Sequence, residues 1–371
     1  MEQRIIAGAD CHKRVGELLD ELGSKRFMLV CDSSFDFLSI KEYFLTLGDR
    51  SVPFDRFTPN PLYEDVCKGV ELFVEEGCDA IVAVGGGSSI DVAKCIKLYA
   101  KMDHSRNYLE QECFDSGIPL IALPTTAGTG SESTRFAVIY YDGKKQSIAH
   151  PSIVPDIAVL DHGVLATLPI YQKKCTMLDA LCQGIESMWS VNSTDESMDY
   201  ARKAINGIIA HGGEYINNGT AESAMQIMLA ANYAGRAINI TQTTAAHAMS
   251  YKLTSMYGIP HGHAVAVCIV PLWRFMAENT GLCIDKRGED HLCRVFDEII
   301  SLLGCKDYNE TGDRLENMLL ALGIKSPAIR DEDISTLAGS VNTVRLSNNP
   351  VRLTDESLRQ LYVDIQKGAR A

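Results

Sequence analysis

The sequence predicts an α/β fold joined to an all-α one: a Rossmann-like parallel sheet flanked by helices over residues 1–165, then a helical domain over 166–371. Three observations carry this. The chain has 371 residues, 46% of them hydrophobic, more than one compact core uses, so two domains follow. Over the first part, short β-branched runs at 27–31, 80–84, 120–123 and 157–160 alternate with helical periods, the pattern of a parallel sheet with helices on its faces. From residue 168 onward the texture changes to long amphipathic stretches at 175–191, 197–211, 221–239 and 290–303 with little strand signal between them, which predicts helices packed on helices. Gly163 and Pro169 punctuate the junction.

Composition narrows the function. A formal net charge of −13 with no Lys/Arg block argues against a nucleic-acid partner, which needs a clustered basic face. No segment approaches the ~20 apolar residues of a membrane span, and the first residues hold no apolar stretch of signal length, so a cytoplasmic protein without a membrane partner is expected. Twelve cysteines lie scattered from Cys11 to Cys305 without a CxxC pair. That pattern predicts reduced, packed thiols rather than a disulfide framework or a zinc ribbon.

Two glycine-rich segments follow predicted strands. After 80–84 come Gly85, Gly86, Gly87, Ser88, Ser89, Ile90 and Asp91, opening a helical run. Glycines let backbone approach a pyrophosphate, and a helix amino terminus offers free N–H groups and positive dipole charge. Ser88 and Asp91 also have capping-box spacing, and a capped helix after a tight turn accounts for the same residues. After 120–123, the run from Pro124 through Thr125, Thr126 and Gly128 to Glu132 places hydroxyls and glycines where a second strand ends. Two such loops in one α/β domain predict a dinucleotide. Asp32 ends an early strand, where a carboxylate accepts from the adenosine ribose and repels a 2′-phosphate. This favours NAD over NADP, and a helix-capping Asp is the equal alternative.

In the helical half, Asp179 and Gln183 stand four apart on one helix face, as do His247 and Tyr251, and His261 and His263 follow Pro260. Asp, His and His from three separate points can hold Fe2+ or Zn2+ with positions left open for a substrate oxygen. Any one of these histidines, read alone, is more simply a packed or surface residue.

Together, 85–91, 124–132, 179–183, 247–251 and 259–263 resemble the iron-containing (group III) alcohol dehydrogenase family over essentially the whole chain. The resemblance implies hydride transfer between NAD(P) and an alcohol carbon. It maps metal ligands onto Asp179, His247 and His261, and cofactor contacts onto Gly86, Gly87, Ser88, Thr125, Thr126, Thr134 and Lys145, with Asp91 and Asp32 beside them. Two departures stand out. Gln183 occupies the place of a typical histidine ligand, as a weaker oxygen ligand or the partner of a metal-bound water. Tyr251 stands where a histidine usually lies near the reacting oxygen; Tyr251 and His263 are the candidate proton donors.

The residues around Thr134–Ala137, Asp179–Gln183 and Trp189–Thr194 with Tyr251 resemble the branch that reduces phosphonoacetaldehyde to 2-hydroxyethylphosphonate. Arg135 is the candidate cation for a phosphonate, with a surface ion pair as the plain alternative. A dehydrogenase of another short alcohol or diol, a dehydroquinate-synthase-like lyase and a nucleotide-binding protein without catalysis compete with this reading. The expected partner is a small aldehyde or alcohol, and a homo-oligomer stays open.

Overall fold

A computed structural model describes residues 3–368. The chain divides into two compact units, the first running to Pro169 and taking in Gly219–Met228, the second comprising Ile170–Asn218 and the residues from Leu229 on.

In the first unit the elements run β1 (Arg4–Ala7), α1 (Val15–Glu21), β2 (Phe27–Cys31), α2 (Lys41–Leu45), β3 (Ser51–Phe54), α3 (Tyr63–Glu75), β4 (Ala80–Gly85), α4 (Gly87–Tyr99), β5 (Leu120–Pro124), β6 (Phe136–Tyr141), β7 (Lys144–Ala149) and β8 (Ile157–Leu160). Six strands form one parallel sheet in the order β1-β8-β5-β4-β2-β3. The central strands β2, β4, β5 and β8 are buried along their whole length. That is why they read as unbroken apolar runs, since helices cover both faces of a parallel sheet. Val66, Val70 and Phe73 of α3 and Ile90, Ala93 and Ile96 of α4 share one core with Met28, Val30, Ile81, Ala83, Leu120 and Ala122 of the strands.

Strand β2 is followed by β3 on one side and β4 by β5 on the other, so the winding reverses between the neighbouring strands β2 and β4. Open sheets bind ligands outside the carboxyl ends of strands at such a reversal. The first glycine-rich loop leaves the sheet there, from β4, and the second leaves from the neighbouring β5. Their bases are joined directly, with Thr125 N–H donating to Gly85 C=O at 3.0 Å.

Sequence reading did not anticipate the antiparallel hairpin of β6 and β7. Its two-residue turn has positive φ at both Asp142 (50°) and Gly143 (68°), the type I′ geometry that Asp-Gly favours.

The second unit is helical: α5 (Ile170–Trp189), α6 (Asp195–Asn217), most of α7 (Ala221–Thr241), α8 (Ala245–Tyr257), α9 (His261–Glu278), α10 (Glu289–Leu302), α11 (Tyr308–Ala321), α12 (Ile334–Gly339), α13 (Thr343–Leu346) and α14 (Asp355–Gly368). Helix α9 is apolar nearly throughout and packs on α5, α8, α11 and α14. The indoles of Trp189 and Trp273 and the ring of Phe296 pack together beside it. All twelve cysteines are free thiols. No helix among the described residues is long and apolar enough to cross a membrane.

Candidate active site

Three helices of the second unit bring together the residues expected as metal ligands. Asp179 comes from the middle of α5, His247 from the first turn of α8 and His261 from the first residue of α9. One ligand atom from each lies within 4.8 Å of the others. His247 Nε2 is 3.2 Å from Asp179 Oδ1, and His261 Nε2 is 4.0 Å from the same oxygen. Asp179 and His247 are buried, whereas 37% of the His261 side chain is exposed, so the cluster has one open side. A carboxylate and two imidazoles with an open side form a donor set that fits Fe2+ or Zn2+.

Gly262 makes this convergence feasible. A Cβ there would lie 2.0 Å from the Cys175 carbonyl oxygen and 2.9 Å from Asp179 Cβ. The start of α9 thus presses directly onto the backbone of α5, which sets His261 beside Asp179.

The residue that sequence reading missed is Glu186, on α5, entirely buried. Its Oε2 accepts from His247 Nδ1, and its Oε1 from Thr244 Oγ1 at 2.7 Å and Ala246 N–H at 2.9 Å. Burial opposes a charge on His247, but the Glu186 and Asp179 carboxylates outweigh it and raise the imidazole to about 10. Burial likewise works to raise Asp179 and Glu186; the facing imidazoles, and for Glu186 the surrounding donors, hold both below the usual carboxylate range. Two buried carboxylates facing this cluster favour a cation.

Gln183 is buried one turn along α5 from Asp179 and hydrogen-bonds its carboxylate. Its Oε1 is a buried oxygen without a protein hydrogen bond, in keeping with either role expected of it. Tyr251 stacks on the His261 ring, with centroids 5.7 Å apart and planes 8° from parallel, so the phenol lies at the cluster.

His263 is a correction. Expected as a proton donor, it has both ring nitrogens engaged: Nδ1 with Tyr171 Oη at 2.8 Å and Nε2 with the Lys325 carbonyl at 2.7 Å. The carbonyl can only accept, so Nε2 carries the proton and Nδ1 accepts from the phenol. Burial lowers its pKa, which keeps the ring neutral. His263 ties the start of α9 to α5 and to the segment around Lys325, with no nitrogen free for a relay.

In the first unit, helix α4 begins at Gly87 with Gly86 as its cap and no side-chain cap hydrogen bond. This corrects the capping-box reading of Ser88 and Asp91. Asp91 instead accepts from Ser131 Oγ at 2.7 Å and Val138 N–H at 3.0 Å. Gly86, Gly87 and Ser88 are partly exposed while Ser89 is buried, which leaves the glycine turn open to a ligand. A Cβ at Gly87 would meet Thr129 Cγ2 at 3.1 Å, so the two loops also touch along their length.

Lys94, fully buried, donates to Ser131 Oγ and Thr134 Oγ1, each at 3.1 Å, and to Phe136 C=O at 2.8 Å. It anchors the second loop to α4, and the Thr134 hydroxyl expected at the cofactor belongs to this anchor. Thr125 is buried at the base of the second loop and Thr126 is partly exposed beside Gly86. Asp32 accepts from Ser34 N–H and from Ser89 Oγ, each at 2.8 Å, so it caps a turn and braces the glycine loop together. A cavity of about 310 Å3 lies beside it, lined by Cys31, Asp32, Phe35, Lys41, Pro53 and Asp55. Lys145 is exposed on β7. Arg135 precedes β6, with its guanidinium 5.5 Å from the centroid of the Phe136 ring.

Residues 2–162 match the family described as iron-containing alcohol dehydrogenase, and residues 174–365 match the C-terminal part of the Fe-containing alcohol dehydrogenase family. A phosphonoacetaldehyde reductase of Streptomyces viridochromogenes is 35% identical over 300 residues, 76% of this chain and 75% of that protein. An NAD-dependent methanol dehydrogenase of Bacillus methanolicus is 27% identical over 96% of each chain. The solved structure of a sulfoacetaldehyde reductase from Bifidobacterium kashiwanohense in complex with NAD+ superposes with a TM-score of 0.87 at 25% identity, covering 98% of this chain and 97% of that one. That of an iron-containing alcohol dehydrogenase from Thermococcus thioreducens gives 0.88 at 25% identity over 99% of each.

Proposed function

Because the chain belongs to the iron-containing alcohol dehydrogenase family, we propose that it catalyses the reversible, metal-assisted reduction of phosphonoacetaldehyde to 2-hydroxyethylphosphonate, with NADH preferred to NADPH. The observation that carries the metal-assisted chemistry is the convergence of Asp179, His247 and His261. When bound, a divalent ion supplies Lewis-acid polarisation of an aldehyde oxygen and a nicotinamide supplies hydride.

Asp179, His247 through Nε2 and His261 are the residues that would hold the ion, with Gln183 beside them. The glycine turn Gly86–Gly87–Ser88 and the hydroxyls of Thr125 and Thr126 are the proposed diphosphate and ribose contacts. Thr134 and Asp91 act through the loop they anchor, and Lys145 as a flanking cation. Tyr251 is the proposed proton donor, a phenol held by stacking on His261. Its group can give a proton to an oxygen at the cluster and recover it from solvent on the open side.

The coenzyme preference rests on Asp32, whose carboxylate repels a 2′-phosphate. Asp32→Gly is expected to raise kcat/KM with NADPH relative to NADH. An unchanged ratio assigns Asp32 to the turn and to Ser89 alone.

The substrate class follows from what the relatives are named for. Phosphonoacetaldehyde and sulfoacetaldehyde are both two-carbon aldehydes that end in a tetrahedral anion. Arg135 is the proposed cation for that anion, because a guanidinium matches it by charge-assisted hydrogen bonds. Loss of such contacts costs on the order of 1.5–3 kcal/mol, hence roughly 10- to 100-fold in kcat/KM. Arg135→Met should therefore depress kcat/KM for phosphonoacetaldehyde by that factor and barely affect an uncharged aldehyde of similar length, with metal content unchanged. Equal losses on both aldehydes would make Arg135 structural and move the question to Lys252 on α8. Wild-type preference for sulfoacetaldehyde would keep the anion-bearing class and replace the phosphonate by a sulfonate.

A further inference from the structure

We propose that Glu186 is a positioning residue of the metal site: one carboxylate oxygen is fixed by the amino terminus of α8, and the other holds the His247 Nδ1 proton so that Nε2 faces Asp179. The inference rests on the reading that Asp179, His247 and His261 bind a divalent ion.

A carboxylate with no solvent exposure is costly unless its lone pairs are satisfied. Those of Glu186 are. Oε1 accepts from Thr244 Oγ1 at 2.7 Å, from Ala246 N–H at 2.9 Å, and from the N–H groups of Thr244 and His247 at 3.3 Å. Three of these donors are backbone groups at the start of α8, which a side chain of the helix itself usually caps. Here Thr244, at the cap position, makes no such bond; its hydroxyl turns to Glu186, and the indole of Trp189 donates to that hydroxyl at 2.9 Å. Glu186 therefore caps α8 from α5.

With Oε1 held in this way, Oε2 has a fixed place against His247 Nδ1. Once the ring is neutral, as ligation requires, a proton held on Nδ1 leaves the Nε2 lone pair for an ion on the side of Asp179 Oδ1, 3.2 Å away. A carboxylate on the far nitrogen sets the ring's orientation and raises its basicity as a ligand, and removing such a partner typically lowers metal affinity by about 10- to 100-fold. One side chain thus couples the start of α8 to the direction in which His247 presents its ligand atom.

The test compares wild type with Glu186→Gln. The amide keeps a carbonyl oxygen for the α8 N–H groups but sets an NH2 group against Nδ1, so the neutral ring must place its proton on Nε2. Zn2+ affinity, read by competition with a chelator, is expected to fall about 10- to 100-fold, while the metal-free variant still melts cooperatively and binds NADH as wild type does. Equal Zn2+ affinity in the two proteins overturns the role of Glu186 and leaves the metal site standing. Absence of Zn2+ binding in wild type overturns both. If the variant does not fold, Zn2+-loaded wild type decides by its histidine 15N–1H spectrum. Nε2 ligation with a downfield Nδ1 proton on His247 supports the proposal, and ligation through Nδ1 overturns it.

Discussion

Replacing His261 by alanine should yield a folded protein that binds NADH but holds almost no divalent metal and turns over at least ~1,000-fold more slowly, because Lewis-acid stabilisation of a developing alkoxide contributes several kcal/mol. His261 is the exposed member of the cluster, so its removal opens no buried cavity. The glycine and threonine loops belong to the first unit and the three ligands to the second, which is why coenzyme binding should survive. Metal analysis and NADH fluorescence titration on one preparation check both halves. Full metal content with undiminished turnover would remove His261 from the site.

Gly262→Ala is expected to be nearly as damaging, although it deletes nothing. Its Cβ would sit 2.0 Å from the Cys175 carbonyl oxygen, so α9 must withdraw from α5 by on the order of 1 Å to reach an ordinary contact. That moves His261 away from Asp179, and a displacement of about 1 Å is enough to cost roughly 100-fold in rate. Overpacking of this kind also destabilises by about 1–3 kcal/mol. Gly213 on α6, where a Cβ would meet nothing within 4 Å, is the control: Gly213→Ala should be neutral or stabilise by about 0.5–1 kcal/mol. Thermal melts and metal content of the two variants should diverge accordingly. A Gly262→Ala protein with normal metal content and activity would show that α9 does not need its contact with α5 to place His261.

The parallel sheet was legible because β2, β4, β5 and β8 are buried on both faces, and such strands leave continuous apolar runs. The edge strands β1 and β3 were not. Each has four residues, and β3 carries Pro53, which only an edge tolerates comfortably. The β6–β7 hairpin escaped because β7 is mostly polar and exposed, although Asp142-Gly143 was a readable turn signal.

At the candidate metal site, the clustering of Asp179, His247 and His261 was legible because their residue types suit a metal and their contexts form recognisable motifs. Glu186 could not be found by local spacing, since its partner lies 61 residues away. The one available signal was a carboxylate two turns along the same apolar face of α5 as Asp179. His263 misled because its type suited a proton donor, and only the structure shows the Tyr171 hydroxyl and the Lys325 carbonyl that occupy its ring. At Asp32 one carboxylate oxygen makes the capping bond that was the alternative to a ribose contact, and the other accepts from Ser89 Oγ, a bond between distant loops that local sequence does not signal.

The most direct test of metal-assisted aldehyde reduction is NADH consumption with phosphonoacetaldehyde by protein stripped with a chelator, measured before and after Fe2+ or Zn2+ is restored. The geometry of Asp179, His247 and His261 predicts no turnover in the stripped protein and recovery at about one ion per chain. Undiminished turnover by fully stripped protein would contradict it.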